Sequence, residues 1–240
     1  MKLAIIGYGR MGKAIEKMAL SRSHEVIYIN NGEPIDKSRL EHADVAIEFT
    51  QPDAALENII TIMRHGVSVV SGTTGWLEHK QIADECAINE QKGFLYASNF
   101  SLGVNLFFVV NEYLAEMMSN HKEYSPSVHE IHHTGKKDAP SGTAITTAEG
   151  IIDAYDELNG WTQDSREDKI HITDERIDPY CGTHTVTYNS TIDKISLEHH
   201  AHSREGFALG AVMAAEWITG KSGVFSMRDV LGLPTNFTSR

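Results

Sequence analysis

The first hundred residues alternate short, almost wholly apolar runs with longer segments in which apolar positions recur every three or four residues. The short runs are Leu3 to Ile6, Val26 to Ile29, Val45 to Phe49, Val67 to Val70 and Phe94 to Tyr96. Apolar runs this brief, rich in β-branched residues, predict strands buried on both faces. Between them, Ile15, Met18 and Ala19 share one helical face, and further helices are expected after Pro52 and from about His79. Strands alternating with helices predict a parallel sheet covered on both sides.

Beyond about Ser101 the pattern changes. A helix over Leu102 to Met118 leads to a strand at Val128-His129-Glu130-Ile131, then a loop, then a helix from Ser141. Ile172 to Ile177, Thr185 to Tyr188 and Ile195 to Glu198 predict antiparallel strands, and Phe207 to Ile218 a last helix before a short tail.

Gly7-Tyr8-Gly9-Arg10-Met11-Gly12 stands between the first strand and the first helix. In a G-x-G-x-x-G turn, one glycine permits the tight bend, one lets the backbone approach a pyrophosphate, and one lets helix and strand pack closely. The expected fold is therefore α/β: an N-terminal Rossmann-type dinucleotide-binding domain at 1–101, completed by 208–240, and a smaller α+β substrate domain at 102–207. The acid that reads a ribose normally ends the second strand, but Asn30-Asn31-Gly32-Glu33 places Asn30 there. Asn30 can bond a ribose hydroxyl without repelling a 2′-phosphate, so the coenzyme is NADH or NADPH. Arg10 either meets that phosphate or is a solvated residue at a helix start.

A formal charge of −12 argues against a nucleic-acid backbone as partner, because counterion release needs clustered Lys and Arg. A small anion held in a cationic pocket remains open. Cys86 and Cys181 form no C-x-x-C pair, which predicts reduced thiols and a cytoplasmic protein. Neither a signal peptide nor a membrane-spanning run is visible.

Chemistry concentrates in Glu130-Ile131-His132-His133-Thr134-Gly135-Lys136-Lys137-Asp138-Ala139-Pro140-Ser141-Gly142-Thr143-Ala144. Two imidazoles can donate protons or contact an anion, two lysines add charge from a glycine-containing loop, and Ser141-Gly142-Thr143 opens a helix whose N–H groups attract anions. Blander readings stand beside these: a surface His pair, a solvated loop, and Ser141 as a simple cap. Adjacent strand residues face opposite ways, so His132 and His133 reach one site only if the strand ends there. His184, His199, His200 and His202 follow no recognised ligand spacing, and no metal is expected.

That stretch, E-x-H-H-x-x-K-x-D-A-P-S-G-T-A, resembles the signature of the dihydrodipicolinate reductase family. Gly72-Thr73-Thr74-Gly75, Ala97-Ser98-Asn99-Phe100-Ser101-Leu102-Gly103-Val104-Asn105 and the segment from Ser222 to Leu231 resemble three further family segments, so the likeness spans nearly the whole chain. The resemblance implies hydride transfer from NADH or NADPH to C4 of hydroxy-tetrahydrodipicolinate with net loss of water, in the diaminopimelate route to lysine. It implies His132 as proton donor or acceptor, Lys136 as proton donor and carboxylate partner, and His133, Ser141, Gly142 and Thr143 as substrate contacts. It further implies coenzyme contacts from the glycine loop, from Gly72, Thr73 and Thr74, and from Ala97, Ser98, Asn99 and Phe100, in a homotetramer built through the second domain's sheet. The glycine loop is one residue shorter than the family's usual G-x-x-G-R-M-G form, and Asn30 stands where the family often has an acid.

Another two-domain nicotinamide dehydrogenase would share the glycine loop but would not need the His-His-x-x-Lys segment. A nicotinamide-sensing regulator would want a DNA-binding helix pair or a basic face.

Overall fold

Alternate residues of the first strand lie on opposite faces of a sheet, and both sets are buried: Leu3 and Ile5 on one side, Ala4 and Ile6 on the other. The computed structural model describes residues 1–136 and 138–234; Lys137 and the tail at 235–240 lie outside the described residues. It divides into two compact units, Met1–Leu102 with Arg204–Leu233, and Gly103–Ser203 with Pro234.

The chain begins with β1 (Lys2–Ile6), α1 (Arg10–Ser21), β2 (Glu25–Asn30), α2 (Lys37–Leu40), β3 (Val45–Glu48), α3 (Pro52–Arg64), β4 (Ser68–Ser71), α4 (Lys80–Asn89) and β5 (Gly93–Tyr96). It continues through α5 (Leu102–Met118), β6 (Ser125–His132), α6 (Gly142–Ile152), β7 (Trp161–Thr162), β8 (Ile170–Arg176), β9 (Thr183–Asn189) and β10 (Lys194–His200). It returns to the first unit as α7 (Glu205–Ile218), β11 (Gly223–Phe225) and α8 (Met227–Leu231).

The first unit holds a six-stranded sheet in the order β11-β5-β4-β3-β1-β2, with every pairing parallel. Ile59, Ile62 and Met63 of α3 and Ala83 and Ala87 of α4 bury one face. Ile15 and Ala19 of α1 bury the other, together with Ala208, Ala211, Val212 and Ala215 of α7. Strand order reverses at β1, so the carboxyl ends of β1 and β3 border the crevice where such sheets take their ligands.

The second unit holds a mixed sheet, β10-β9-β6-β8-β7. Its core packs Val104, Phe107 and Phe108 of α5 and Ala144 and Ala148 of α6 against Val128, Ile172, Val186 and Tyr188 of the sheet. The expected antiparallel pairing does not extend to β8. β9 and β10 are antiparallel to their neighbours, but β8 pairs with β6 in parallel. The cause is α6, which lies between those strands in sequence and carries the chain back to the starting end as a crossover. The tail expected after α7 contains β11, which extends the first sheet beside β5.

Candidate active site

Val128, Glu130 and His132 fall on the buried side of β6, and the strand ends at His132. The sheet register sets His184 of β9 opposite Glu130, and Arg176 of β8 opposite His132. The Glu130 side chain is fully buried, with His132 Nδ1 3.3 Å and His184 Nε2 3.4 Å from its Oε2. Its Oε1 accepts the Ser141 N–H at 3.0 Å and lies 3.4 Å from Arg176 Nη2. Ser141 Oγ caps α6 by accepting the Ala144 N–H at 3.1 Å, and it also pairs with His184 Nε2 at 3.2 Å. One carboxylate thus joins two imidazoles, a guanidinium and a helix start.

Burial alone would push the Glu130 carboxyl up, but its bonds to His184 and Ser141 and its charged neighbours outweigh that and bring it to about 2. Burial drives His132 the other way for its charged form, down to about 4 against the pull of Glu130, with Lys136 and Arg176 adding to the fall. Near neutral pH the carboxylate is charged and His132 is neutral. Ligating atoms of Glu130, His132 and His184 all lie within 4.8 Å of one another. The Arg176 guanidinium already balances the carboxylate's charge and works against a further positive charge there, proton or metal ion alike.

The residues after β6 form a tight loop. Lys136 N–H bonds the His133 carbonyl at 3.1 Å, and Lys136 Nζ pairs with the Asp138 carboxylate at 2.8 and 2.9 Å. Thr134 Oγ1 donates to Asp178 at 2.6 Å, and His133 lies close enough to Asp178 to lower that carboxyl further. Beyond the Ser141 cap, α6 opens at Gly142 and Thr143.

In the first unit, Gly7 has φ +96°, and a side chain there would bring a Cβ within 2.0 Å of the Phe49 carbonyl oxygen. A Cβ on Gly12 would lie 2.2 Å from the Gly7 carbonyl oxygen, so the loop and α1 touch backbone to backbone. A Cβ on Gly9 would meet nothing within 4 Å, and Gly9 caps α1 without a side-chain bond. Open space before an uncapped helix start, with no acid in its first turn, fits the pyrophosphate of a dinucleotide. Arg10 is exposed at that start, Met11 packs on the core, and the Tyr8 hydroxyl donates to Glu16.

Asn30 ends β2. Its side chain is only 4% exposed, donates to the Glu33 carbonyl at 2.7 Å and accepts the Gly32 N–H at 3.2 Å. Asn30 shapes its own turn, and the exposed acid of that turn is Glu33, whose carboxylate accepts the Asn31 N–H at 3.0 Å. Gly72 and Thr73 follow β4, with Gly72 against Phe49, Thr74 is exposed, and Ala97, Ser98, Asn99 and Phe100 follow β5, with Phe100 tilted against Phe49 at 5.6 Å.

Both halves of the chain match one family: the model described as dihydrodipicolinate reductase, N-terminus, at residues 1–100, and that described as dihydrodipicolinate reductase, C-terminus, at 103–231. This chain belongs to the dihydrodipicolinate reductase family. A 4-hydroxy-tetrahydrodipicolinate reductase of Christiangramia forsetii is 49% identical over 234 residues, 96% of this chain and 98% of the relative. One of Archaeoglobus fulgidus is 37% identical, covering 96% and 100%. Among solved structures, a dipicolinate-bound dihydrodipicolinate reductase from Paenisporosarcina sp. TG-14 has the same fold, with a TM-score of 0.73 at 20% identity over 94% of this chain and 97% of that one.

The structure brings His132, Ser141 and the start of α6 to one carboxylate, and it leaves Lys136 paired with Asp138. His184 and Arg176 were not assigned there from sequence. They come from two strands flanking β6, and their neighbourhood depends on strand order, which periodicity does not encode. Glu130 carried a weak signal as an acid two residues before a histidine in a buried strand. Glu48, an acid inside an apolar strand, carried the same signal and is wholly buried.

Proposed function

We propose that this chain reduces 4-hydroxy-tetrahydrodipicolinate with NADH or NADPH, releasing tetrahydrodipicolinate, oxidised coenzyme and water. The supporting observation is the buried His132–Glu130–His184 set, at the end of a strand and beside the start of α6. The nicotinamide, when bound, supplies two electrons and hydrogen as hydride to C4. A proton accompanies the hydride, and the C4 hydroxyl leaves as water. His132 holds that proton, with the Glu130 carboxylate 3.3 Å from its Nδ1 stabilising the charged form. Lys136, released from Asp138, meets a carboxylate and donates to the reacting ring. Gly142 and Thr143 hold a carboxylate at the α6 start, His133 contacts the substrate, and Ser141 acts as the cap that keeps this start in place.

On this reading Gly7, Tyr8, Gly9, Arg10, Met11 and Gly12 form the coenzyme's pyrophosphate turn. Gly72, Thr73 and Thr74, with Ala97, Ser98, Asn99 and Phe100, border its nicotinamide end. The chain assembles as a homotetramer. Light scattering then gives four times the 26.6 kDa chain mass. Cys86 and Cys181 are both free, in keeping with a cytoplasmic setting. No helix among the described residues is long and apolar enough to cross a membrane.

The test is oxidation of NADH or NADPH that appears only with freshly made pathway substrate. His132→Ala lowers turnover with little change in coenzyme affinity, and Lys136→Ala lowers turnover and also weakens dicarboxylate binding. Parent-like rates in both variants exclude the site.

A further inference from the structure

Glu48 ends β3 at the edge of the first sheet where strand order reverses, and its side chain is wholly buried. Among the described residues no cation pairs with it. Its carboxylate instead accepts Ser71 Oγ at 2.6 Å, Thr73 Oγ1 at 2.7 Å, Thr50 Oγ1 at 2.5 Å and the Thr50 N–H at 3.0 Å. Thr73 Oγ1 also accepts the Thr50 N–H at 2.8 Å, and Asn58 Nδ2 donates to Thr50 Oγ1 at 3.3 Å. The hydroxyls therefore point one way, toward Glu48. Its backbone carbonyl accepts the Gly72 N–H at 3.0 Å.

A buried carboxylate without a cation is costly, and a core of this kind would be more stable with an apolar residue there. Burial pushes the Glu48 carboxyl up, with its hydrogen bonds holding it back. The cost has a local counterpart: the bonds end on three backbone segments, the tips of β3 and β4 and the loop at 72–75. On its other side that loop rests on aromatic rings, since a Cβ on Gly72 would lie 2.2 Å from Phe49 Cζ and 2.9 Å from Phe100 Cε2. The loop is clamped between a charge and two rings, at the sheet edge where a dinucleotide docks.

We propose that Glu48 is a positioning residue for the coenzyme, holding the ends of β3 and β4 and the 72–75 loop as one rigid docking surface. This rests on the reading that the first unit binds NAD(P)H. Glu48 touches neither reactant; it acts through Thr73 and Thr50.

The experiment titrates NADH and NADPH by nicotinamide fluorescence, and pyridine-2,6-dicarboxylate by calorimetry, on the full chain and on Glu48→Gln, Ser71→Ala and the Glu48→Gln/Ser71→Ala double variant; Ser71 donates to Glu48 and is assigned no ligand contact. Glu48→Gln and Ser71→Ala each weaken coenzyme roughly tenfold, the scale of one lost charge-assisted hydrogen bond. Dicarboxylate affinity stays at the parent value, and the double variant is no weaker than the worse single one. Unchanged coenzyme affinity in both Glu48→Gln and Ser71→Ala overturns the role. Equal loss of both ligands together with thermal stability also overturns it, because Glu48 would then be a fold-wide support. Should Glu48→Gln fail to fold, Ser71→Ala decides alone. A parent that binds neither coenzyme overturns the coenzyme reading and this inference with it.

Discussion

Dicarboxylate binding should draw one proton into the protein. In the free protein burial holds His132 at about 4, so near pH 7 its ring is neutral and has no proton to give as an imidazolium. To be half-protonated at about pH 7 it must gain roughly 4 kcal/mol of preference for the charged form. One carboxylate at about 4 Å supplies roughly that much at an effective dielectric of about 20, so a doubly charged ligand is sufficient. Since the complex holds a proton that the free protein lacks, affinity rises as pH falls. Between about pH 7 and about pH 5, pyridine-2,6-dicarboxylate should bind about tenfold more tightly per pH unit. Calorimetry in two buffers of different ionisation enthalpy measures the uptake directly. At about pH 6, where uptake is nearly complete, the parent's apparent enthalpies should differ by the ionisation of about one buffer proton, and His132→Gln should abolish the difference. A buffer-independent enthalpy, with affinity level across that pH range, refutes a proton-holding His132.

Glu130→Gln should lower stability by about 3 kcal/mol at neutral pH, as a carboxyl held at about 2 in the folded protein contributes that much relative to an ordinary one. Because the folded value is depressed, the contribution is complete above the ordinary carboxyl range and fades as pH falls toward about 2; urea midpoints that differ as much in acid as at neutrality contradict it. Glu33→Ala should lower KM for NADPH by about tenfold and leave KM for NADH nearly unchanged, because the exposed carboxylate of the β2 turn repels a 2′-phosphate. An equal change with both coenzymes removes Glu33 from discrimination.

The first sheet was legible because its strands are apolar on both faces and the helices between them keep their period. The glycine turn was legible because Gly7 and Gly12 occupy positions where a single methyl group collides with backbone. The pairing direction of β8 was not, since a short alternating run reads alike in parallel and antiparallel ladders. His132 could be found in its motif, whereas its surroundings could not. Glu130, His184 and Arg176 meet by lateral register across three strands separated by long stretches of chain. Asn30 meets the same limit at a strand tip. A side chain at a strand tip can bond a ligand or its own turn, and only the turn's path, bringing the Glu33 carbonyl to 2.7 Å, decides.

The position of α7 bears on how the protein can be made. Leu3, Ile5, Val45 and Ile47 share a core with Ala208, Ala211, Val212 and Ala215, although between 161 and 212 residues of synthesis separate them. While the ribosome is still translating, that side of the sheet has α1 but lacks its second cover, whereas Gly103–Ser203 emerges as one continuous stretch with all its core partners. The later half of the polypeptide can therefore mature before the earlier half, and the nascent sheet stays sticky until its closing helix leaves the exit tunnel.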